Sequence, residues 1–165
     1  LKRNPQSFVP VINIDNKSFT QSLSIIEYLN ETRGLDLLPK DHAKRAKVTA
    51  LAYAIAIDIH PICNLSVSSY AEEISGRENY KQEWMKKFIG PGLQAFEKLL
   101  EDFPKGSYSV GETPSLPDIC LIPQIYNAMR WEVDIAHLSR INSIIQSCNK
   151  HPAFINAHPD FFKPS

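Results

Sequence analysis

Phe8-Val9-Pro10-Val11-Ile12-Asn13-Ile14-Asp15-Asn16-Lys17-Ser18-Phe19-Thr20-Gln21-Ser22-Leu23-Ser24-Ile25-Ile26-Glu27-Tyr28-Leu29 is the stretch in which the chain changes period. Val9, Val11, Ile12 and Ile14 are branched apolar residues suited to a strand. Asp15-Asn16-Lys17 supplies turn chemistry and Ser18-Phe19-Thr20 resumes the strand, so residues 8–20 read as a β-hairpin. From Ser22 the apolar residues fall three apart at Leu23, Ile26 and Leu29, with Ile25 widening the face, and this is a helical period. Gly34 stands where a left-handed C-cap would end the helix, and Gly34 to Asp41 reads as a linker. Two strands alone are marginal in water and leave sheet edges open. The hairpin therefore predicts further strands of the same sheet outside this chain.

Everything after Asp41 reads as helix and loop. Val48, Leu51, Ile55, Ile59 and Ile62 step by three or four and predict one long buried stripe, kinked or broken at Pro61. A second helix is predicted from about Tyr80 to Phe103, with Trp84, Phe88, Phe96, Leu99 and Phe103 on its apolar face. Gly90-Pro91-Gly92 interrupts that pattern. A loop rich in Gly, Ser and Pro covers residues 104–114. Ser115 with Asp118 then forms a variant capping box that opens a third, central helix. Leu138, Ile141, Ile144 and Cys148 mark a fourth helix, and a short fifth segment runs from His151-Pro152 to His158-Pro159. Trp84, Trp131 and the Phe residues are expected in the core.

Composition excludes several function classes. Eighteen basic and eighteen acidic residues leave a formal charge of zero, so there is no electrostatic case for nucleic acid or an anionic membrane as partner. The apolar run Ala50 to Ile57 is too short to span a bilayer. Cys63, Cys120 and Cys148 are odd in number and far apart, a poor disulfide framework and a poor zinc site. The five His residues show no metal-ligand spacing. A reduced, cytoplasmic compartment is the expectation, with no metal. The chain opens at Leu1-Lys2-Arg3 without Met or signal peptide, which reads as a boundary of the piece.

The order of elements, with these residues, resembles the glutathione transferases. Val9-Pro10-Val11 is similar to that family's proline at the start of a strand, and Gln21-Ser22 before Leu23 to Leu29 to its glutathione-gripping helix start. The zeta class is suggested by Gln21-Ser22-Leu23 with Ile25 to Leu29 and Glu31-Thr32. Leu38-Pro39, Asn64-Leu65-Ser66, Asn127 and Arg130 before Val133-Asp134, Arg140-Ile141-Asn142 and His158-Pro159 support it. The pattern departs at His60, where the class more often has Gln, at Gly90-Pro91, and at Met129 before Arg130.

The resemblance implies a thioredoxin-like α/β N-terminal domain, of which only the β-β-α second half is present (residues 1–36), followed by an all-α helical bundle (residues 37–165). It implies a glutathione-dependent cis–trans isomerase converting maleylacetoacetate to fumarylacetoacetate, with transferase activity, working as a homodimer on a small acidic substrate. A general transferase for halogenated acids and a non-catalytic scaffold are the alternatives. The family's Ser/Cys motif lies in the first β-α unit, which this chain lacks, so no catalytic residue is assigned. Val9, Gln21, Ser22, His60, Asn64 and Ser66 are implied glutathione-binding residues, and Arg130 is implied for the substrate.

Elementary chemistry gives each of these a second reading. Pro10 is equally an edge-strand proline, with Val9 as ordinary strand. A helix N-terminus at Gln21-Ser22 suits a carboxylate, yet Thr20 or Ser22 would also serve as a plain N-cap. His60, Asn64 and Ser66 are expected on the first long helix near its kink at Pro61, where polar residues also cap. Arg130 offers a planar bidentate donor to a carboxylate, but also offsets the dipole at a helix C-terminus or joins a surface ion pair.

Overall fold

The computed structural model describes residues 4–162 and divides into two compact units, Leu1–Leu38 and Pro39–Ser165. In the first, strands β1 (Val11–Ile14) and β2 (Lys17–Thr20) pair antiparallel in the register Val11↔Thr20 to Ile14↔Lys17. The turn is the two residues Asp15-Asn16, with φ of 51° and 59°, the left-handed pair that matches the twist of a tight hairpin. Lys17, expected in the turn, is the first residue of β2. Helix α1 (Ser22–Arg33) follows and ends at Gly34, whose φ of 62° is the left-handed C-cap. Beyond it, the Asn30 side chain accepts from Leu37 N at 2.8 Å and holds the following loop. The Val9–Pro10 peptide is cis.

The second unit is helical. Helix α2 (His42–Ala56) is capped by Asp41, which accepts from Lys44 N at 2.8 Å. Val48, Leu51, Ile55 and Ile59 are buried as the stripe predicts, while Ile62 is half-buried. The helix itself stops at Ala56. Pro61 has no N–H to continue a ladder, and the N–H groups of both Ile59 and His60 turn back on Ile55 O before the chain restarts at α3 (Leu65–Ser75). Our reading placed His60, Asn64 and Ser66 on one kinked helix. They lie instead on a turn and at the start of a new helix, one the apolar stripe did not reveal.

Helix α4 (Tyr80–Leu99) runs unbroken through Gly90-Pro91-Gly92 and tightens into a 3-10 turn, Leu100–Asp102. Pro91 lies inside the helix and is exposed. Gly92 is required by close packing: a Cβ there would lie 2.5 Å from Ile59 Cδ1. The buried face of α4 is Met85, Ile89, Leu93 and Phe96, continued by Leu100. This is a correction, since the predicted face was centred on the larger aromatics. Trp84 and Phe88 pack at its margin and Leu99 is exposed. Phe8, Phe161 and Phe162 are also exposed rather than core.

Helix α5 (Leu116–Arg130) starts from the predicted box. The fully buried Asp118 carboxylate accepts from Ser115 N (2.8 Å) and Oγ (2.6 Å) and from Ser109 N (2.8 Å) and Oγ (2.6 Å). Helices α6 (Ser139–Cys148) and α7 (Pro152–Asn156) complete the bundle, and a 3-10 turn, Pro159–Phe162, follows. Arg140, at the start of α6, donates to the carbonyls of Leu100, Phe103, Pro104 and Ser109, while Glu97 on α4 accepts from Arg140 N and Ile141 N. The Arg140-Ile141-Asn142 motif thus ties the loop after α4 to α6. No helix among the described residues is long and apolar enough to cross a membrane.

Candidate functional site

In the first unit the hairpin register carries Val9 and Gln21 to the same end, because Val11 pairs with Thr20. Val9 is 91% exposed. Gln21 is the N-cap of α1, with φ 70° and ψ 114°, a left-handed conformation that is costly for a non-glycine residue and concentrates at functional sites. Neither Thr20 nor Ser22 is the cap. The Gln21 side chain does not cap either; its Nε2 donates to Gln6 Oε1 at 3.2 Å. The helical ladder begins with Ile25 N on Gln21 O, at 3.0 Å. The N–H groups of Ser22, Leu23 and Ser24 therefore have no intrahelical acceptor. Gln21 and Ser22 are exposed. The arrangement offers donors and a partial positive charge to an anion of carboxylate size.

In the second unit His60 is exposed on the turn after α2. Asn64 is the N-cap of α3, and its Oδ1 accepts from Ser66 N at 3.0 Å and from Ser66 Oγ at 2.9 Å. The local capping reading of these two polar residues is therefore met, and both remain exposed. Further along α3, Val67, Tyr70, Ala71 and Ile74 line an open apolar groove of about 350 Å³ with Tyr80 and Trp84 of α4. Sequence reading missed this groove because it missed α3. A signal was present in the spacing Val67, Tyr70, Ile74, which is helical.

Arg130 is the exposed last residue of α5. Its guanidinium carbon lies 5.9 Å from the Trp131 ring centroid, and it has no ion-pair partner among the described residues. The surface ion pair weighed for it is therefore not formed among the described residues. Its position still offsets the dipole of α5, and the fork is open to an external carboxylate.

The three thiols are poor nucleophiles. Burial pushes Cys63 up to about 11. Cys120 and Cys148 both rise to about 12, mainly by burial and with a smaller contribution from Asp118. Among the described residues no group of three or more His, Cys, Asp or Glu could hold a metal ion.

No family model matches the chain. Individual proteins match closely. Over 166 residues the chain is 49% identical to the maleylacetoacetate isomerase of Rhizobium meliloti (strain 1021), covering 99% of this chain and 78% of that one. Its fold superposes on the holo structure of a maleylpyruvate isomerase, a bacterial zeta-class glutathione S-transferase, with a TM-score of 0.91, 37% identity, and 96% and 76% of the two chains covered. It also superposes on the maleylacetoacetate isomerase of Anaeromyxobacter dehalogenans 2CP-1 with glutathione bound in its active site. There the TM-score is 0.86 at 35% identity, over 96% of this chain and 74% of that one. The hairpin with α1 and the helical unit are thus parts of a glutathione transferase fold. With near-complete coverage at this identity, the chain belongs to the maleylacetoacetate isomerase family of zeta-class glutathione transferases.

Proposed function

We propose that this protein is a glutathione-dependent cis–trans isomerase acting on maleylacetoacetate. The observation that carries the reading is the 49% identity over 99% of the chain to an isomerase of that name. Bound glutathione would supply the thiol whose reversible addition to the activated cis double bond lets that bond rotate. The residues present fit that ligand: α1 opens with three N–H groups lacking intrahelical acceptors behind exposed Gln21 and Ser22.

In this reading Gln21, Ser22 and the first turn of α1 hold the γ-glutamyl carboxylate, and the exposed backbone of Val9 pairs with the cysteinyl backbone as an added strand would. For His60, Asn64 and Ser66 a glutathione-binding role is proposed from the family resemblance alone. Arg130 binds a carboxylate of the acidic substrate in bidentate fashion. Holding both partners in register converts a bimolecular encounter into an oriented one. A homodimer is part of the proposal: on α2 and its C-cap, Ala46, Ala50, Tyr53 and Ile57 form an exposed apolar stripe at helical spacing.

The test uses the full-length protein. Isomerisation of maleylacetoacetate should require glutathione, and Ser22→Ala should weaken glutathione binding by about 1–3 kcal/mol by calorimetry. No turnover of the wild type, or unchanged affinity in Ser22→Ala, contradicts the reading. Likeness to a maleylpyruvate isomerase favours that acid as the second substrate to assay.

A further inference from the structure

We propose that Asp15, Tyr28 and Arg33 form a positioning latch that sets the tilt of the first turn of α1, and through it the affinity for the carboxylate which that turn receives. The inference rests on the reading of Gln21 and Ser22 given above. Tyr28 Oη donates to Asp15 Oδ2 at 2.7 Å, and Arg33 donates to Asp15 Oδ1 and Oδ2 at 2.7 and 2.8 Å. The Phe19 and Tyr28 rings pack with centroids 4.3 Å apart at a tilt of 31°, joining β2 to the middle of α1. The Arg33 bond and the Tyr28 hydroxyl together hold the Asp15 carboxyl below its usual range, so the latch is charged at neutral pH.

The geometry explains why a tie so far from Ser22 matters. Helix α1 leaves β2 through one residue, Gln21, in an unusual backbone conformation and without a side-chain cap. That residue is the hinge. The latch lies at the opposite end of the hairpin, at the turn, and grips the last residue of the helix. Eleven steps of 1.5 Å separate Ser22 from Arg33, a lever of roughly 16 Å. Release of the latch frees the far end of this lever, so that the helix can tilt about Gln21 and carry its first-turn N–H groups with it. Hydrogen bonds weaken with misalignment, so the ligand held by those groups reads the tilt. Val9 sits on the hairpin side of the hinge, so the same tilt changes its orientation relative to Ser22.

The experiment is a double-mutant cycle in the full-length protein. Asp15→Asn keeps a residue that tolerates the left-handed turn and removes the charge; Arg33→Met keeps the stem and removes the fork. Each should raise the Kd for glutathione about two- to fivefold, the scale of an exposed network. The double variant should do no more than the larger single change, because both act through one contact. KM for the acid and kcat at saturating glutathione should stay put. Unchanged Kd in both single variants, additive losses, or equal losses in kcat and acid KM would overturn the latch. Ser22→Ala is measured beside them. If it weakens binding while the latch variants do not, only the latch fails; if it too leaves Kd unchanged, the carboxylate site fails and the latch with it.

Discussion

Replacing Asp118 by Ala should be the most damaging single change in the helical unit outside the apolar core. Its carboxylate is fully buried and accepts four bonds of 2.6–2.8 Å, two from backbone N–H groups and two from hydroxyls, of Ser109 and Ser115. The hydroxyls can rotate to other acceptors. The two N–H groups cannot, and each buried donor left unpaired costs about 1–3 kcal/mol. Loss of the N-terminal box adds about 1 kcal/mol. We therefore expect a loss of about 3–7 kcal/mol. With a urea slope of about 2 kcal/mol/M, the unfolding midpoint should fall by about 1.5–3.5 M. Urea titration followed by the fluorescence of Trp84 and Trp131 measures this directly. Asp118→Asn should also be costly, since one of its two positions becomes a donor facing donors. A loss below about 1 kcal/mol in Asp118→Ala would refute the reasoning and mean that water replaces the carboxylate.

Gly92→Ala places a Cβ 2.5 Å from Ile59 Cδ1, a side chain that is itself buried, and should cost about 1–2 kcal/mol despite the better helix propensity of Ala; a stabilised variant on thermal unfolding would contradict this. At pH 8 a thiol with a pKa of about 11 is ionised about one time in a thousand, so the native protein should resist alkylation that the urea-unfolded chain accepts readily. Because the folded thiol values lie above the ordinary 9.0, the unfolded chain releases these protons first, and stability should fall as pH rises from 9 towards 12. Arg130→Ala should raise KM for the acidic substrate about tenfold or more and Arg130→Lys less, with little change towards an uncharged electrophile; equal losses on both substrates would make Arg130 structural. Sedimentation at micromolar concentration should show the full-length protein as a dimer, and Ile57→Glu should shift it towards monomer.

Much of the architecture follows from local chemistry and is therefore visible in the chain itself. Asp15-Asn16 can adopt the left-handed pair of a tight turn, Gly34 the left-handed cap, and Ser115 with Asp118 a reciprocal box. Each needs only its near neighbours, so each is legible from residue type and spacing. The helix start at Gln21-Ser22 was legible for the same reason: a strand ended and a helix began there.

Tertiary structure decided what spacing leaves degenerate. Several faces of α4 are apolar enough to be buried, and only the neighbours it packs against selected Met85, Ile89 and Leu93 over the larger Trp84 and Phe88. Gly90-Pro91-Gly92 ends many helices. Here the helix continues, with Pro91 exposed and Gly92 packed so near Ile59 that a Cβ would collide with it. The grip of Arg33 and Tyr28 on Asp15, and of Arg140 on four carbonyls between Leu100 and Ser109, joins residues 13 to 40 positions apart. No local preference encodes such partners. They meet only when the hairpin, the helices and the loop after α4 have already packed, because a hydrogen bond between distant residues acts only after the chain between them has folded.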